Sequence, residues 1–278
     1  MESIMGTKLA EEAGQHQTAP SPAAAEDVHA GVLNWEAALN LDDVPVLATT
    51  LNPINLVART AADTLPAERF RMLANRLLHL RRSRELKIVQ VTSSVIGEGK
   101  STISANLAVT LARRPSQRVL LLEGDLRKPA LTEILGAVSV PGLGEWWEKA
   151  DLGAPLPVYR VAGLGLWFLP AGAAKDVTDV MQSPLLPQVL TELAKHFDWV
   201  IIDSPPLLPI ADAAIWARLA DGTLLVLRAA VAPKKAVRKA LENLDNARLL
   251  GFVLNDSPDR FSSRYYDQYY GLYLRKGE

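Results

Sequence analysis

Cysteine is absent from all 278 residues, which excludes disulfide bonds and thiol catalysis and agrees with a reducing compartment. An excess of one charge is also lacking, because 30 Lys and Arg residues oppose 31 Asp and Glu residues. Such a balance gives no overall basic field for nucleic acid. No apolar run is long enough to cross a bilayer, and the N-terminus lacks the order of a signal peptide. We therefore expect a cytoplasmic protein without a nucleic-acid partner. If it works at a membrane, we expect something else to hold it there.

What the chain does contain is enough apolar sequence for one ample core, since 49% of its residues are hydrophobic and 22% are charged. Residues 1–60 are rich in Ala, Pro, Asp and Glu, and we expect a largely disordered arm with a short apolar island. Residues 61–256 are expected to form the folded domain. Residues 257–278 follow as a flexible tail.

Within 61–256, short apolar runs alternate with helical patterns. The first pattern, PAERFRMLANRLLHLRRS, places its apolar residues at near-helical spacing with arginines on the other faces, which predicts an amphipathic helix. Runs such as KIVQV, RVLLL and WVII are apolar throughout, as in strands that are covered on both faces. The sequence therefore predicts an α/β fold, a doubly wound and mostly parallel sheet with helices on both faces.

The stretch VTSSVIGEGKST predicts a phosphate-binding loop, because a strand runs through a glycine turn into a helix that begins near Lys100. Gly97 and Gly99 allow backbone N–H groups to point at phosphate oxygens. Lys100 would reach the terminal phosphates, and the Ser101 hydroxyl would ligate Mg²⁺. Ser94 stands where the general pattern has its first glycine. An ordinary glycine turn is the alternative, but strand, turn, lysine and helix are all in register for a P-loop NTPase.

Carboxylates follow two further strands. LLLEGDLRKP presents Glu123 and Asp125 at alternate positions, which we expect on the same side of the strand end, and VIIDSPP ends in Asp203, where a Walker B acid is expected. Any one of these acids alone would more often be a capping or surface residue. Together they converge on the crevice at the carboxyl ends of the strands, where open α/β sheets bind ligands.

With these motifs the chain resembles the bacterial tyrosine kinases of capsule and exopolysaccharide systems, cytoplasmic relatives of the Min and Par partition ATPases. The resemblance covers about residues 65–273. It depends on SSVIGEGKSTISANLAVTLA, LLLEGDLRKP, DWVIIDSPPLLPIADA and the segment TLLVLRAAVAPKKAVRKALENLDNARLLGFVLND. It implies that residues 61–256 are a P-loop kinase domain that uses ATP and Mg²⁺.

The tail RYYDQYYGLYLRKGE adds to the resemblance, because it holds five of the six tyrosines. In that family such tyrosines are phosphorylated, usually in a neighbouring subunit of a ring. The implied phosphoacceptors are Tyr265, Tyr266, Tyr269, Tyr270 and Tyr273. From residue types alone, a tail that packs on its own domain or on a neighbour is the alternative.

The resemblance also assigns roles by position. The implied catalytic residues are Lys100, Glu123, Asp125 and Asp203. The implied nucleotide-binding residues are Gly97, Glu98, Gly99, Lys100, Ser101, Thr102 and, near the base, Asn255. The implied metal ligands are Ser101, Asp125 and Asp203, and Arg127 follows the acids as in the family.

Glu68 and Arg71 match the family's oligomerisation helix. The implied partners are a membrane polysaccharide co-polymerase that activates the kinase, further copies of the chain in a homo-oligomer that could be a ring, and a phosphotyrosine phosphatase. The co-polymerase would hold the protein at the inner face of the plasma membrane.

Three positions depart from the family pattern. Glu123 replaces an aspartate, Ala74 replaces the second arginine of the oligomerisation helix, and Ile96 replaces a proline. The first two favour a non-catalytic nucleotide-binding adaptor of polysaccharide assembly as one alternative. A partition-type ATPase is another, although Val95 stands where such proteins carry a signature lysine. The expected function remains an ATP-dependent protein-tyrosine autokinase that regulates exopolysaccharide or capsule synthesis and export.

Overall fold

The structure is a computed structural model that describes residues 39, 41–49, 56–57, 64–137, 140–149, 154–209, 211–244 and 248–256. The tail tyrosines and most of residues 1–60 lie outside the described residues. The strands are β1 (Val46–Leu47), β2 (Ile88–Ser93), β3 (Val119–Glu123), β4 (Tyr159–Val161), β5 (Leu166–Leu169), β6 (Trp199–Asp203), β7 (Gly222–Arg228) and β8 (Leu249–Asn255). The helices are α1 (Leu65–Leu80), α2 (Lys100–Ala112), α3 (Leu131–Ile134), α4 (Leu143–Glu148), α5 (Val177–Gln182), α6 (Leu185–His196), α7 (Asp212–Leu219) and α8 (Lys234–Glu242).

One sheet runs through the domain in the order β1-β4-β5-β3-β6-β2-β7-β8. All neighbouring strands are parallel except β4 and β5, which pair antiparallel. The three central strands β3, β6 and β2 are buried along their whole length. The predicted mostly parallel sheet is therefore confirmed, and the strands that lead into the glycine turn, Glu123 and Asp203 lie at its centre.

Alternate residues of the central strands point into two hydrophobic clusters, one on each face of the sheet. Val89, Leu121 and Ile201 pack with α1 and α2 on one face. Their neighbours Leu120 and Ile202 pack with α4, α5, α6 and α7 on the other face. Apolar side chains at both odd and even positions are what a sheet covered on both faces requires. The doubly wound prediction is confirmed.

Helix α1 shows how the predicted amphipathic pattern is used. Pro66 lies in the first turn, where the missing N–H costs nothing. Ala67, Ala74 and Leu77 are buried, Ala74 and Leu77 belong to the first cluster, and the helix packs on α2. Ala74, at the position of the family's second arginine, is only 2% exposed.

A short segment before residue 61 belongs to the sheet. β1 pairs in parallel with β4 through Val46 and Leu47, and the side chains of Leu39, Leu47 and Leu56 are buried. These described residues pack on the domain although they fall in the segment predicted as a largely disordered arm. The division of the chain into arm, domain and tail remains a prediction.

The structure also bears on the predicted lack of a membrane span. Among the helices within the described ranges, none combines the length and the apolar content that crossing a membrane requires.

Candidate nucleotide-binding site

The loop between β2 and α2 has the backbone that the phosphate-binding pattern predicts. Gly97 and Gly99 have φ values of 87° and 90°, in the left-handed region that favours glycine. A Cβ atom at Gly99 would lie 2.2 Å from Asn255 Nδ2. That amide donates a hydrogen bond to the Glu98 carbonyl at 3.0 Å. The end of β8 therefore packs directly against the glycine turn.

The Glu98 side chain supports the loop from within. It is fully buried, and its carboxylate accepts hydrogen bonds from the backbone N–H groups of Val95 at 2.9 Å and Arg228 at 3.2 Å. The Glu98 carboxylate thus joins the loop to β7. The predicted role of Glu98 in nucleotide binding would therefore fall to its backbone N–H group.

Lys100 begins α2 and contacts two of the three predicted acids. Its Nζ atom lies 2.9 Å from Asp125 Oδ2 and 3.9 Å from Asp203 Oδ2. The same Nζ is 3.3 Å from the Ser101 hydroxyl. Four of the residues assigned to catalysis or metal binding are thus brought together by three different elements. Thr102 lies in the first turn of α2 beside them.

Asp203 is the most deeply buried acid of this group. Its Oδ1 atom accepts a hydrogen bond from Ser104 at 3.2 Å, whereas its Oδ2 atom has no hydrogen-bond partner among the described residues. Burial raises the pKa of Asp203 to about 6, and Lys100 and the serine hydroxyls act in the opposite direction. A buried carboxylate oxygen without a donor, beside a lysine and a hydroxyl, suits a hard cation that takes oxygen ligands. The residues present therefore fit a Mg²⁺–nucleotide site.

Glu123 has partners of its own. Its carboxylate is fully buried and accepts hydrogen bonds from Leu131 N at 2.5 Å, Thr132 N at 3.2 Å, the Thr132 hydroxyl at 2.9 Å and Ala171 N at 3.1 Å. β3 ends at Glu123, so the strand alternation that would place Asp125 on the same side does not extend that far. The two acids thus hold different sets of partners.

The residues after Glu123 form a short loop that carries Asp125 and Arg127. Asp125 Oδ1 accepts a hydrogen bond from Lys128 N at 3.1 Å. Arg127 Nε donates to Asp212 Oδ2 at 2.7 Å, at the start of α7. The pairing with Asp212 gives Arg127 a structural role and raises the pKa of its guanidinium group.

The predicted oligomerisation residues lie on α1. Arg71 and Glu68 form an ion pair with each other at 2.5 Å. Arg71 and Ala74 also line a cavity of about 190 Å³, whose other walls include Arg113 and Arg114 at the end of α2. The predicted phosphoacceptor tyrosines lie outside the described residues.

Sequence reasoning missed two contributors to the site. Ser104 lies one helical turn after Lys100, and its hydroxyl bonds both the Lys100 carbonyl and Asp203. The spacing of four residues was a usable signal, since it places both residues on one face of α2. The backbone N–H of Arg228 donates a hydrogen bond to the Glu98 carboxylate, although the two residues are 130 positions apart in sequence. No local sequence pattern predicts this contact.

Comparison with known proteins agrees with this geometry. The ParA family, described as "NUBPL iron-transfer P-loop NTPase", matches residues 85–258. The tyrosine-protein kinase YwqD of Bacillus subtilis is 31% identical over 221 residues, which cover 78% of this chain and 91% of YwqD. The succinoglycan biosynthesis transport protein ExoP of Rhizobium meliloti is 33% identical over 66% of this chain, although the match covers only 24% of ExoP.

A solved structure leads to the same family. The kinase domain of the Escherichia coli tyrosine kinase ETK superposes with a TM-score of 0.68 at 26% identity, over 84% of this chain and 90% of that domain. The YwqD match spans nearly the whole of that protein, and Lys100 contacts Asp125 and Asp203 at the predicted site. The chain therefore belongs to the family of bacterial tyrosine-protein kinases, within the ParA-related P-loop NTPases.

Proposed function

We propose that this chain is an ATP-dependent protein-tyrosine autokinase that phosphorylates its own C-terminal tyrosine cluster and thereby regulates exopolysaccharide or capsule assembly. The observation that carries the proposal is the contact of Lys100 with Asp125 and Asp203 at the start of α2. The five tyrosines between residues 264 and 274 supply an acceptor of the matching chemistry. Family membership supports the same activity.

The P-loop residues would bind the nucleotide. Backbone N–H groups between Gly97 and Ser101 and the positive end of the α2 dipole attract phosphate oxygens. Lys100 would neutralise charge on the transferred group. The Ser101 hydroxyl and the carboxylates of Asp125 and Asp203 would hold Mg²⁺, which when bound stabilises charge on the phosphate oxygens.

The reaction is a group transfer between ATP and a phenol. A bond forms between a tyrosine oxygen and the γ-phosphorus atom, the bridging bond to the β-phosphate breaks, and ADP leaves with that oxygen. The phenol proton passes to a base at the site. Asp125 is the acid that we propose guides the phenol, because its Oδ2 atom lies 2.9 Å from Lys100 Nζ.

Phosphorylation of the tail would change its charge strongly. Each phosphate adds about −1.5 to −2 charges, so five add roughly eight to ten negative charges to one end of every copy. Neighbouring copies of a homo-oligomer would then repel one another. This repulsion provides a physical route from autophosphorylation to disassembly, and a phosphotyrosine phosphatase would reverse it.

The proposed partner is a membrane polysaccharide co-polymerase. In ExoP, the segment similar to this chain forms part of a much longer polysaccharide transport protein. We propose that this chain meets the corresponding membrane component as a separate partner, on the cytoplasmic side of the plasma membrane. Its activation by that component would couple phosphorylation to polymer assembly.

A non-catalytic nucleotide-binding adaptor is the second candidate function. The observation that favours it is the Glu123 carboxylate, which is occupied by four hydrogen bonds instead of facing Lys100. A partition-type ATPase has less support, because Val95 replaces the signature lysine of that class.

The test is phosphotyrosine formation in purified protein with Mg-ATP, alone and with the cytoplasmic segment of a candidate activator. Lys100→Met and a variant with the five tail tyrosines changed to Phe are the matched controls. The proposal predicts that signal requires both Lys100 and the tail. ATP binding without any phosphotyrosine, in the presence of an activator shown to bind, would favour the adaptor.

A further inference from the structure

The Glu123 carboxylate connects three elements at the edge of the candidate site. Oε1 accepts from the backbone N–H groups of Leu131 and Thr132, which are the first two residues of α3. Oε2 accepts from the Thr132 hydroxyl and from the backbone N–H of Ala171, just beyond β5. Glu123 thus caps α3 and ties both α3 and the end of β5 to β3.

These bonds use the whole accepting capacity of the carboxylate. An ionised carboxylate offers about four lone-pair sites, and four donors meet Glu123. The side chain is also fully buried. A phenol proton therefore finds neither access to this group nor a vacant acceptor on it.

The loop that Glu123 closes is the one that carries Asp125. At its start, Gly124 N donates to the Asp203 carbonyl at 2.8 Å, and Trp216 Nε1 donates to the Gly124 carbonyl at 2.9 Å. At its end, α3 is held by Glu123. With both ends fixed, Asp125 presents one oxygen to Lys128 N and the other to Lys100 Nζ.

We infer that Glu123 is a positioning residue, which fixes the loop of residues 124–130 so that Asp125 meets Lys100, and that it does not touch the reacting atoms. This role differs from the catalytic role that the resemblance implies for Glu123, which stays an untested prediction. Its kinetic consequence rests on the proposed kinase function, whereas its structural part does not.

The length of the side chain is the critical property. Glutamate reaches α3 and Ala171 at the same time. Aspartate is shorter by one methylene and would have to give up one of the two connections. Displacement of a reacting group by about 1 Å can cost about a hundredfold in rate. In this chain the glutamate is therefore required by its surroundings, and the aspartate usual in the family would serve less well.

The test compares Glu123→Asp with Glu123→Gln. Glutamine keeps the length, so its carbonyl oxygen can retain one connection at full reach, whereas its NH₂ group replaces the second acceptor oxygen and faces donors there. We expect Glu123→Asp to lower kcat at least about tenfold, with the KM for ATP within about threefold, and Glu123→Gln to retain more activity than Glu123→Asp. Rates are measured well below the melting temperature, with the folded state verified by circular dichroism.

Matched threonine variants extend the comparison. Thr132→Val removes one donor to Glu123 and is expected to lower kcat in the same direction by a few-fold. Thr191→Val removes a similar hydroxyl bond, to the Pro187 carbonyl on the exposed side of α6, and should leave kcat unchanged. Equal effects of the two variants would contradict a role that acts through Glu123.

If Glu123 were a general base, Glu123→Asp would retain more activity than Glu123→Gln. Removal of such a base costs about 10²–10⁴ in rate, whereas a shorter carboxylate can still accept a proton. Wild-type activity in Glu123→Asp together with loss in Glu123→Gln would therefore overturn the inference.

Amide hydrogen exchange provides a readout that needs no kinase activity. Leu131, Thr132 and Ala171 should exchange faster in Glu123→Asp, and unchanged exchange would also overturn the inference. If the wild type forms no phosphotyrosine, the proposed function fails while the exchange result still decides the role of Glu123.

Discussion

At the scale of single residues, the two glycines of the phosphate-binding loop differ in their surroundings. Both have a positive φ, but a Cβ atom at Gly97 would meet no atom of the described residues within 4 Å, whereas one at Gly99 would meet Asn255 Nδ2 at 2.2 Å. Gly97→Ala should thus cost only the strain of a left-handed residue, about 1–2 kcal/mol of unfolding free energy. Gly99→Ala should cost more, because it also displaces Asn255 from the Glu98 carbonyl.

Urea unfolding of the two glycine variants without nucleotide measures this difference. Equal destabilisation would show that the contact between Asn255 and the loop is not maintained.

Asp203 predicts a pH dependence of stability. Burial raises its pKa in the folded protein to about 6, above the value of about 3.9 in an unfolded chain. The folded state therefore binds more protons between these values, and the stability of the protein without nucleotide or metal falls as pH rises from about 4 to about 6. Asp203→Asn should remove this decrease in stability, because asparagine does not ionise.

We expect Asp203→Asn to be more stable than the wild type by about 1–3 kcal/mol at pH 7.5. The difference should disappear near pH 4, where the wild-type acid is protonated. Urea unfolding across this pH range in the presence of EDTA is the measurement. A pH-independent difference would show that Asp203 does not titrate as its burial implies.

At the scale of elements, Gln90 joins four of them behind the site. Its Nε2 donates to the Ser204 hydroxyl and to the Ala213 carbonyl, each at 2.8 Å, and its Oε1 accepts from the Thr223 hydroxyl at 2.9 Å. These contacts connect β2 with the turn after β6, with α7 and with β7. Gln90 is fully buried, so water cannot replace a lost partner.

Gln90→Leu should lower the unfolding free energy by about 2 kcal/mol or more, because buried polar groups lose their partners. Adding Thr223→Val should recover part of the loss, since the unpaired hydroxyl is then removed as well. A double-mutant cycle by urea unfolding measures this coupling. Strictly additive effects would contradict a shared buried network.

The sequence predicted the elements that have a strong local pattern. β2, β3 and β6 are short, apolar and buried on both faces, and the glycine turn before Lys100 is recognisable from a few residues. The acid at the end of β6 could be predicted for the same reason, since Asp203 directly follows an apolar run.

Contacts between distant segments could not be predicted in the same way. Ala171 is 48 residues from Glu123, and Asp212 is 85 residues from Arg127. Periodicity therefore carries no information on these pairs. The antiparallel pairing of β4 with β5 and the inclusion of β1 in the sheet are likewise set by packing, and their short strands have weak patterns.

At the scale of the whole molecule, the nearly neutral chain, with 30 basic and 31 acidic residues, would become strongly acidic at its C-terminal end on phosphorylation, by roughly eight to ten charges. If the protein forms a homo-oligomer, the phosphorylated oligomer should dissociate at a higher protein concentration than the unphosphorylated oligomer. Raising the salt concentration should reduce the difference, since salt screens exposed charges.

Sedimentation velocity of both forms at low and high salt measures this effect. The variant with Phe at the five tail positions is the control, because it cannot gain the charge. An unchanged oligomer after phosphorylation would contradict the proposed route to disassembly.

In the proposed autokinase, the Lys100 site transfers phosphate to the tyrosine tail of another copy. The most direct measurement mixes the Lys100→Met chain, which keeps its tyrosines, with the chain that has Phe at the five tail positions and keeps Lys100. Mass spectrometry after incubation with Mg-ATP and the activator locates the phosphate. Transfer between copies predicts phosphate on Tyr265, Tyr266, Tyr269, Tyr270 or Tyr273 of the Lys100→Met chain. Absence of phosphotyrosine from the mixture, although the chain that keeps Lys100 binds ATP and both chains associate, would contradict it.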